Sequence, residues 1–196
     1  MSESAIGLRE QKRWETSHRI ALCAQRLADA HGLDGFTMDD LADAAEVSRR
    51  TLFNYFPSKL DAVLGTIPEI PPAALATFHT GGPHGSLVED LGALAKALLS
   101  VKEPDREAMV LSRRVLAGSS RVLAAAHQRF EQITEDFVAL ILDREGPDFD
   151  VERARLAVRI LGSLFDSALL TFIEGDERPI DVLFDHYLNE ARSLFA

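Results

Sequence analysis

Cysteine is almost absent from this chain, because Cys23 is the single one among 196 residues. One thiol cannot form a disulfide within the chain, so we expect no disulfide framework. Cys23 lies one helical turn after Ile20 and about one before Leu27, which predicts a buried helix residue rather than a redox sensor. The sequence also shows no apolar signal region near its N-terminus and no later apolar run of membrane-spanning length. We therefore expect a cytoplasmic protein that does not associate with a membrane.

Motifs that indicate catalysis are also missing. We find no nucleophile elbow, no glycine-rich phosphate loop and no His, Cys and Glu set with metal-ligand spacing. His79 and His84 flank a glycine-rich stretch without carboxylate or cysteine neighbours, which does not favour a metal site. We expect no metal, no cofactor and no enzymatic activity. A small all-α enzyme that assembles its site from scattered positions stays open as an alternative.

Positive charge is in the minority, with 21 Lys and Arg against 31 Asp and Glu and a net charge of −10. This balance is unusual for a nucleic-acid-binding protein. The first 60 residues nevertheless carry 8 basic and 9 acidic residues, so most of the excess acid lies further along the chain. Salt screens exposed charges beyond roughly 8–10 Å, so a local basic surface can still act. Arg9, Lys12 and Arg13 form one such group near the N-terminus, a basic arm that could contact DNA.

Residues 36–60, FTMDDLADAAEVSRRTLFNYFPSKL, predict two short helices joined by a tight turn. Thr37 and Ser48 are suitable N-caps, and Leu52 and Phe56 face inward on the second helix. The outward positions of that helix carry cations, an amide and hydroxyl groups: Arg49, Arg50, Thr51, Asn54 and Tyr55. This is the layout of a helix-turn-helix, whose second helix enters the DNA major groove.

This stretch resembles the DNA-binding signature of TetR-family transcriptional regulators. The matching positions are Phe36, Thr37, Asp40, Leu41, Ala42, Ala45, Val47, Ser48, Thr51, Leu52, Phe53, Tyr55, Phe56, Ser58 and Lys59. Glu46 departs from the glycine usual in the turn and would cost about 1 kcal/mol if a left-handed backbone is needed there. Phe53 replaces a common tyrosine and so removes one hydroxyl that could contact phosphate.

The predicted DNA contacts combine residue chemistry with this resemblance. Arginines can pair with phosphate or with guanine O6 and N7, and Thr and Asn can meet base edges. In the TetR resemblance, positions matching Thr51, Tyr55 and Lys59 contact DNA. The full predicted set is Ser48, Arg49, Arg50, Thr51, Asn54, Tyr55 and Lys59. The alternative for the two arginines is a solvated surface pair.

Composition divides the chain into three parts. Residues 1–64 form the predicted helix-turn-helix domain, 65–85 a Pro- and Gly-rich connection with one short helix near 72–78, and 86–196 an effector-binding and dimerisation domain. We expect disorder over residues 1–8, then helices up to about His31 and, in the last part, at about 87–102, 104–118, 120–145, 151–173 and 180–195. The predicted inward face of the helix at 120–145 is Leu123, Ala126, Phe130, Ile133, Phe137 and Leu140. The fold class is thus all-α, a three-helix head plus an antiparallel helical bundle, with about nine helices.

The last two predicted helices are apolar over more of their circumference than one core requires. Gly162, Ser163 and Ser167 are small enough to let another helix approach closely. We expect the pair to meet its copies across a two-fold axis in a homodimer, which the TetR resemblance also implies. The predicted interface residues are Leu161, Phe165, Leu169, Phe184, Tyr187 and Leu188. A monomeric bundle is the alternative.

Polar residues that interrupt apolar faces of the second domain are candidates for an effector pocket. They are Arg113, His127, Thr134 and Asp166, although each also has an ordinary structural interpretation. The C-terminal part weakly resembles a TetR subgroup with acyl-CoA-like ligand domains. Together these features predict a repressor that an apolar or amphipathic small molecule releases from a pseudo-palindromic operator. A ligand-binding protein that has lost DNA binding stays open.

Overall fold

The computed structural model describes residues 3–100 and 105–195, which contain helices and no strand. The all-α prediction is confirmed, with ten helices in these residues rather than about nine. The predicted ends near Lys102 and Pro104 lie outside the described residues. The helices are α1 Glu3–His31, α2 Met38–Ala44, α3 Arg49–Tyr55, α4 Lys59–Leu64, α5 Pro72–His79, α6 Leu87–Leu99, α7 Arg106–Gly118, α8 Ser120–Glu145, α9 Val151–Ile173 and α10 Ile180–Phe195.

The N-terminal helix begins earlier than the sequence indicated. Helix α1 starts at Glu3, so the expected disorder over residues 1–8 is wrong for the described part of that segment. Residues 3–12 are rich in Ala, Leu, Glu, Gln, Lys and Arg, which are strong helix formers. Lys12 and Arg13 therefore lie exposed on a helix rather than on an extended arm.

The chain forms two compact units, and the first contains the predicted head. It comprises Met1–Ile67 together with Glu107–Gln128, so α7 after its first residue and the start of α8 pack with the head helices. Its core includes side chains with no exposed area on α1, α2, α3 and α4, and three buried residues from the added segment, Leu111, Val115 and Val122. The predicted functional boundaries at 64/65 and 85/86 stay a prediction.

Ion pairs flank the apolar contact between α1 and the added segment. Arg114 donates from Nε and Nη2 to the two carboxylate oxygens of Asp29, the first at 3.1 Å. The Nη2 of Arg26 lies 3.7 Å from a carboxylate oxygen of Glu107. These exposed pairs each contribute about 0–1 kcal/mol, so the buried residues carry most of the stabilisation.

The second compact unit comprises Pro68–Arg106 and Arg129–Ala196. Helix α10 packs against α9 and α6, and α5 packs against α6. The approach of α6 to α10 is close, because a Cβ atom at Gly92 would lie 2.7 Å from Cδ2 of Leu188. The short α5 agrees with the helix predicted near 72–78, and α4 ends at Leu64 as the sequence indicated.

The inward face of α8 differs from the predicted one by about one residue. Leu123 and Phe130, expected to pack inward, are 56% and 41% exposed. The buried positions are Val122, Thr134, Val138 and Ile141. The apolar residues of α8 cover more than one face, so their spacing alone did not identify the buried one.

Helix α9 contradicts the expectation that no apolar run reaches membrane-spanning length. By length and composition alone it could cross a membrane, with a mean hydropathy of 1.7. Arg159 and Asp166 interrupt the run, which hides it on inspection of the sequence. Core helices of soluble proteins meet the same criterion, but 11% of this stretch is buried within the chain. Most of α9 is therefore open to some further contact.

Candidate nucleic-acid interface

The first helix of the motif is fixed by a capping box. Thr37 Oγ1 accepts the N–H of Asp40 at 3.1 Å, and Asp40 Oδ2 accepts both the N–H and the hydroxyl of Thr37 at 2.7 Å. The side-chain hydrogen bond from Thr37, followed by the backbone one, lowers the pKa of Asp40. The predicted N-cap is confirmed, and the backbone N–H groups of Thr37 and Asp40 at the start of α2 both have hydrogen-bond acceptors.

The turn between α2 and α3 has a left-handed backbone at Glu46, the conformation that the sequence predicts to be unfavourable for this residue. Glu46 has φ 52°, the one positive φ at a residue other than glycine in the described parts of the chain. The next N–H, of Val47, donates to the carbonyl of Ala42 at 3.0 Å and closes the turn. A left-handed conformation costs an L-residue about 1–2 kcal/mol, so the surrounding contacts must offset this conformational energy at Glu46.

Helix α3 is capped by a serine and anchored by two apolar side chains. Ser48 Oγ accepts the N–H of Thr51 at 3.0 Å, and the two hydroxyl oxygens lie 2.8 Å apart. Leu52 is fully buried and Phe56 is 3% exposed. These contacts fix which face of α3 is turned away from the core.

That outer face carries most of the predicted DNA contacts. Arg49, Arg50 and Asn54 are exposed, and Thr51 and Tyr55 are half-buried. No hydrogen bond or ion pair involves the side chain of Arg50 within residues 3–100 and 105–195. Three of the five predicted contact residues on α3 are thus open to solvent, and their role in binding stays a prediction.

Arg49 is already engaged in the free protein. Its Nη1 donates to Asp39 Oδ1 at 2.9 Å and Oδ2 at 2.8 Å, which links α3 to the first turn of α2. The guanidinium carbon also lies 5.6 Å from the centre of the Phe53 ring. Reasoning from the sequence missed both contacts: the one with Asp39 depends on the angle of the turn between α2 and α3, and Phe53 was considered only for the hydroxyl that it lacks.

Lys59 is more restrained than a simple phosphate clamp would be. Its Nζ donates to the carbonyl oxygen of Phe36 at 2.6 Å and lies 5.0 Å from the centre of the Phe36 ring. The side chain is half-buried. An ammonium group has three donors, so two are left for another acceptor. The predicted contact of Lys59 with the DNA backbone stays a prediction.

Comparison with known proteins assigns this geometry to a family. Residues 23–63 match the family model for bacterial regulatory proteins of the tetR family. The chain belongs to the TetR family. The matched residues run from the second half of α1 to α4 and so include the whole motif described above.

Two relatives and one solved structure agree with this assignment. The chain is 26% identical over 201 residues to the HTH-type transcriptional regulator TcmR of Streptomyces glaucescens, which covers 97% of this chain and 89% of TcmR. It is 46% identical over 57 residues to MftR of Mycobacterium tuberculosis, covering 29% and 27% respectively. A crystal structure of a protein from Mesorhizobium loti, assigned to the TetR family, shares the fold with a TM-score of 0.51 and 19% identity over 92% of this chain and 95% of that one.

This TetR-family chain is a DNA-binding transcriptional regulator and not an enzyme. TetR-family regulators are soluble proteins that bind DNA and act as dimers. Among the residues that the structure describes, no three His, Cys, Asp or Glu side chains group as metal ligands. The weaker resemblance of the C-terminal part to an acyl-CoA-like subgroup stays a prediction.

The four predicted effector-pocket residues are divided between the two compact units. Arg113 is half-buried and His127 exposed, both in the first unit. In the second unit, Asp166 is exposed and Thr134 is fully buried, where its hydroxyl donates to the carbonyl of Phe130 at 2.9 Å. Thr134 therefore has its donor satisfied within its own helix.

A cavity that the sequence did not indicate lies in the second unit. It measures about 280 Å³ and is bounded by α5, the turn at Gly82 and Pro83, and α6. None of the four predicted pocket residues lines it. Apolar side chains from α5 and α6 predominate, and the carboxyl group of Asp90 is its one acidic element. Six of its nine lining residues come from the stretch predicted to be a connection, where no periodic pattern pointed to a cavity.

The predicted dimer residues differ in how much surface they can offer. Phe184 and Leu188 are 1% and 5% exposed and belong to the subunit core, which leaves them little area for a partner. The other four, Leu161, Phe165, Leu169 and Tyr187, are half-buried. Their role at an interface stays a prediction.

Proposed function

We propose that this TetR-family chain is a cytoplasmic repressor that binds a pseudo-palindromic operator as a homodimer and is released by a small-molecule effector. The observation that carries the proposal is the anchoring of α3. Leu52 and Phe56 bury one side of this helix, so that Arg49, Arg50 and Asn54 face solvent together. A rigid polar helix of this kind can be inserted in the major groove without refolding.

A second copy of the chain is the proposed partner of α9. Leu156, Ile160 and Leu170 are 58%, 45% and 37% exposed, and Ser163 and Ser167 lie between them at spacings of three and four. These five residues define the α9 stripe. Its large apolar and small polar members favour close packing of a matching helix, and burial of the still exposed part of each leucine or isoleucine contributes about 0.7–1.5 kcal/mol, roughly half the value for a fully exposed side chain. Dimerisation would also explain why so little of α9 is buried within one chain.

The proposed effector is an apolar or amphipathic small molecule. The 280 Å³ cavity between α5 and α6 supports this choice, because Phe78, Leu94 and alanines line most of it. Its volume lies just below the range of ordinary ligand sites, about 300–1,000 Å³, so a small effector is expected. Coupling of about 1–3 kcal/mol between effector and DNA would change operator affinity about 5–150-fold.

A mobility-shift assay tests the proposed function. The probe is the DNA flanking the gene that encodes this chain, compared with a scrambled duplex of equal length at two salt concentrations. We expect a complex specific for the flanking DNA, with an affinity that falls steeply as salt rises because phosphate contacts release counterions. Equal, weak binding to both duplexes would contradict the proposal.

A ligand-binding protein that has lost DNA binding is the other candidate. Such a protein would keep the cavity and the α9 stripe, but it would not require cationic or polar side chains on the outer face of α3. Arg50 argues against it, since this cation is exposed on α3 and its side chain has no hydrogen-bond or ion-pair partner in the described residues. In the assay above, this candidate gives no specific complex with the flanking DNA, and a separate selection from a random pool of duplexes recovers none either.

A further inference from the structure

The best-defined polar contact on the outer surface of the motif is the pair formed by Asp39 and Arg49. One nitrogen, Nη1, donates to both carboxylate oxygens at 2.9 and 2.8 Å. The two side chains are 61% and 65% exposed, and the Phe53 ring lies beneath the guanidinium at 5.6 Å. A carboxylate and a ring therefore hold the arginine from two sides.

Stability does not account for this arrangement. Exposed ion pairs contribute about 0–1 kcal/mol, and salt weakens them further. A carboxylate this close to a DNA-binding surface also repels phosphate, so its presence lowers affinity for all DNA. An acidic side chain at this place needs a compensating role, and restricting the orientation of Arg49 is one that the geometry provides.

The restriction leaves one edge of the guanidinium free. Nε and Nη2 carry N–H groups that point in the same direction, and neither has a partner in residues 3–100 and 105–195. Two adjacent parallel donors match O6 and N7 of guanine in the major groove. Because Asp39 occupies Nη1 on the other edge, the free edge is the one presented to a base.

We propose that Asp39, assisted by Phe53, is a positioning residue that orients Arg49 to read one guanine in each half-site. This inference rests on the proposed function, because it requires α3 to enter the major groove. Arg50 has no such restraint, and a freely rotating guanidinium suits phosphate contact rather than base discrimination. The two adjacent arginines thus have different roles, one in specificity and the other in general affinity.

The test compares D39A with D43A. Asp43 lies one turn further along α2, is also exposed, and its side chain has no hydrogen-bond or ion-pair partner in the described residues. Both substitutions remove one negative charge, so charge alone makes both variants bind every duplex more tightly. We expect D43A to do this. For D39A we expect tighter binding to scrambled DNA but a five- to tenfold lower ratio of operator to scrambled affinity, with D39N in between because its amide oxygen still accepts from Nη1.

A base analogue identifies the contact itself. Replacing operator guanines one at a time by 7-deazaguanine removes N7 and should weaken wild-type and R50A binding at one position in each half-site. D39A and R49A should be insensitive at that position. We expect R50A to lower operator affinity tenfold or more, with a similar loss on scrambled DNA.

Several results would overturn the proposal. A D39A variant that behaves like D43A, or that binds the operator with raised specificity, would show that Asp39 only masks Arg49. Retained sensitivity of D39A to 7-deazaguanine would exclude the positioning role. If wild-type protein selects no duplex at all, the proposed function fails, a result distinct from a specific wild-type complex whose D39A variant is unaltered.

Discussion

The buried ion pair of the second unit offers a quantitative test of the fold. The carboxylate of Asp90 has no exposed side-chain area and Arg144 has 4%. Asp90 Oδ2 accepts from Nη2 of Arg144, and its Oδ1 accepts the backbone N–H of His84 at 2.6 Å. The guanidinium of Arg144 also lies 4.8 Å from the centre of the Phe78 ring. The perturbation is Asp90→Ala, which leaves the N–H of His84 without its acceptor and the buried guanidinium of Arg144 with only Glu145, whose carboxylate oxygen lies 3.1 Å from Nη1, among the ion-pair partners in the described residues.

The expected cost follows from this burial. Removing one member of a buried ion pair costs about 3–5 kcal/mol, because the remaining charge stays desolvated. With a urea dependence of about 2 kcal/mol per molar, this loss lowers the unfolding midpoint by about 1.5–2.5 M. Replacing both residues, as in D90L/R144M, should cost less than Asp90→Ala alone, since apolar side chains of similar volume need no partner.

Urea titrations followed by circular dichroism at fixed protein concentration measure these midpoints. Trp14, the single tryptophan, lies in the first unit, so its fluorescence reports the unfolding of that unit separately. A loss below about 1 kcal/mol for Asp90→Ala would refute the reasoning, as it falls in the range of exposed pairs. A double variant as unstable as the sum of both single variants would refute it as well.

Three further predictions concern the motif and the dimer. Glu46→Gly should raise the melting temperature by about 1–3 °C, because relief of the positive φ outweighs the chain entropy of glycine, and a lower value measured by calorimetry would contradict the strain. Asp40→Asn should destabilise the protein near neutral pH but not in acid. The hydrogen bonds from Thr37 lower the folded pKa of Asp40 from the ordinary 3.8, so the stabilisation by this carboxylate is present above about pH 5 and disappears as pH falls through the folded pKa. A difference in stability between the variant and wild type that persists at low pH would be inconsistent with this role. Leu156→Glu should shift the protein from dimer to monomer in sedimentation, whereas Val88→Glu, at a similarly exposed apolar position on α6, should leave the dimer intact. The reverse result would place the interface elsewhere.

Features that depend on neighbouring residues were accessible from the sequence. The N-caps Thr37, Ser48, Ser58 and Asp150 accept backbone N–H groups within three residues, so residue type and spacing were enough to find them. The helix-turn-helix was predictable for the same reason. The left-handed backbone at Glu46 followed from the resemblance to a family that usually has glycine there.

Features that join distant residues were not accessible. Asp90 and Arg144 are 54 positions apart, and Asp39 meets Arg49 across a turn whose angle sets the contact. The packing of residues 107–128 with the head is another case. Helix α7 has an ordinary amphipathic pattern, which predicts a buried face but not the helices that this face packs against. In α8, apolar residues on several faces left the buried side undetermined.

Methylation protection of guanine N7 on the DNA flanking its gene tests the central claim most directly. N7 lies in the major groove, where α3 is proposed to bind as one of two copies. We expect protected guanines in two half-sites related by two-fold symmetry, with centres about 10 base pairs or a multiple apart. Loss of protection in R49A at one guanine of each half-site would agree with that geometry. Protection confined to a single asymmetric site, or none at guanine N7 in a specific complex, would contradict it.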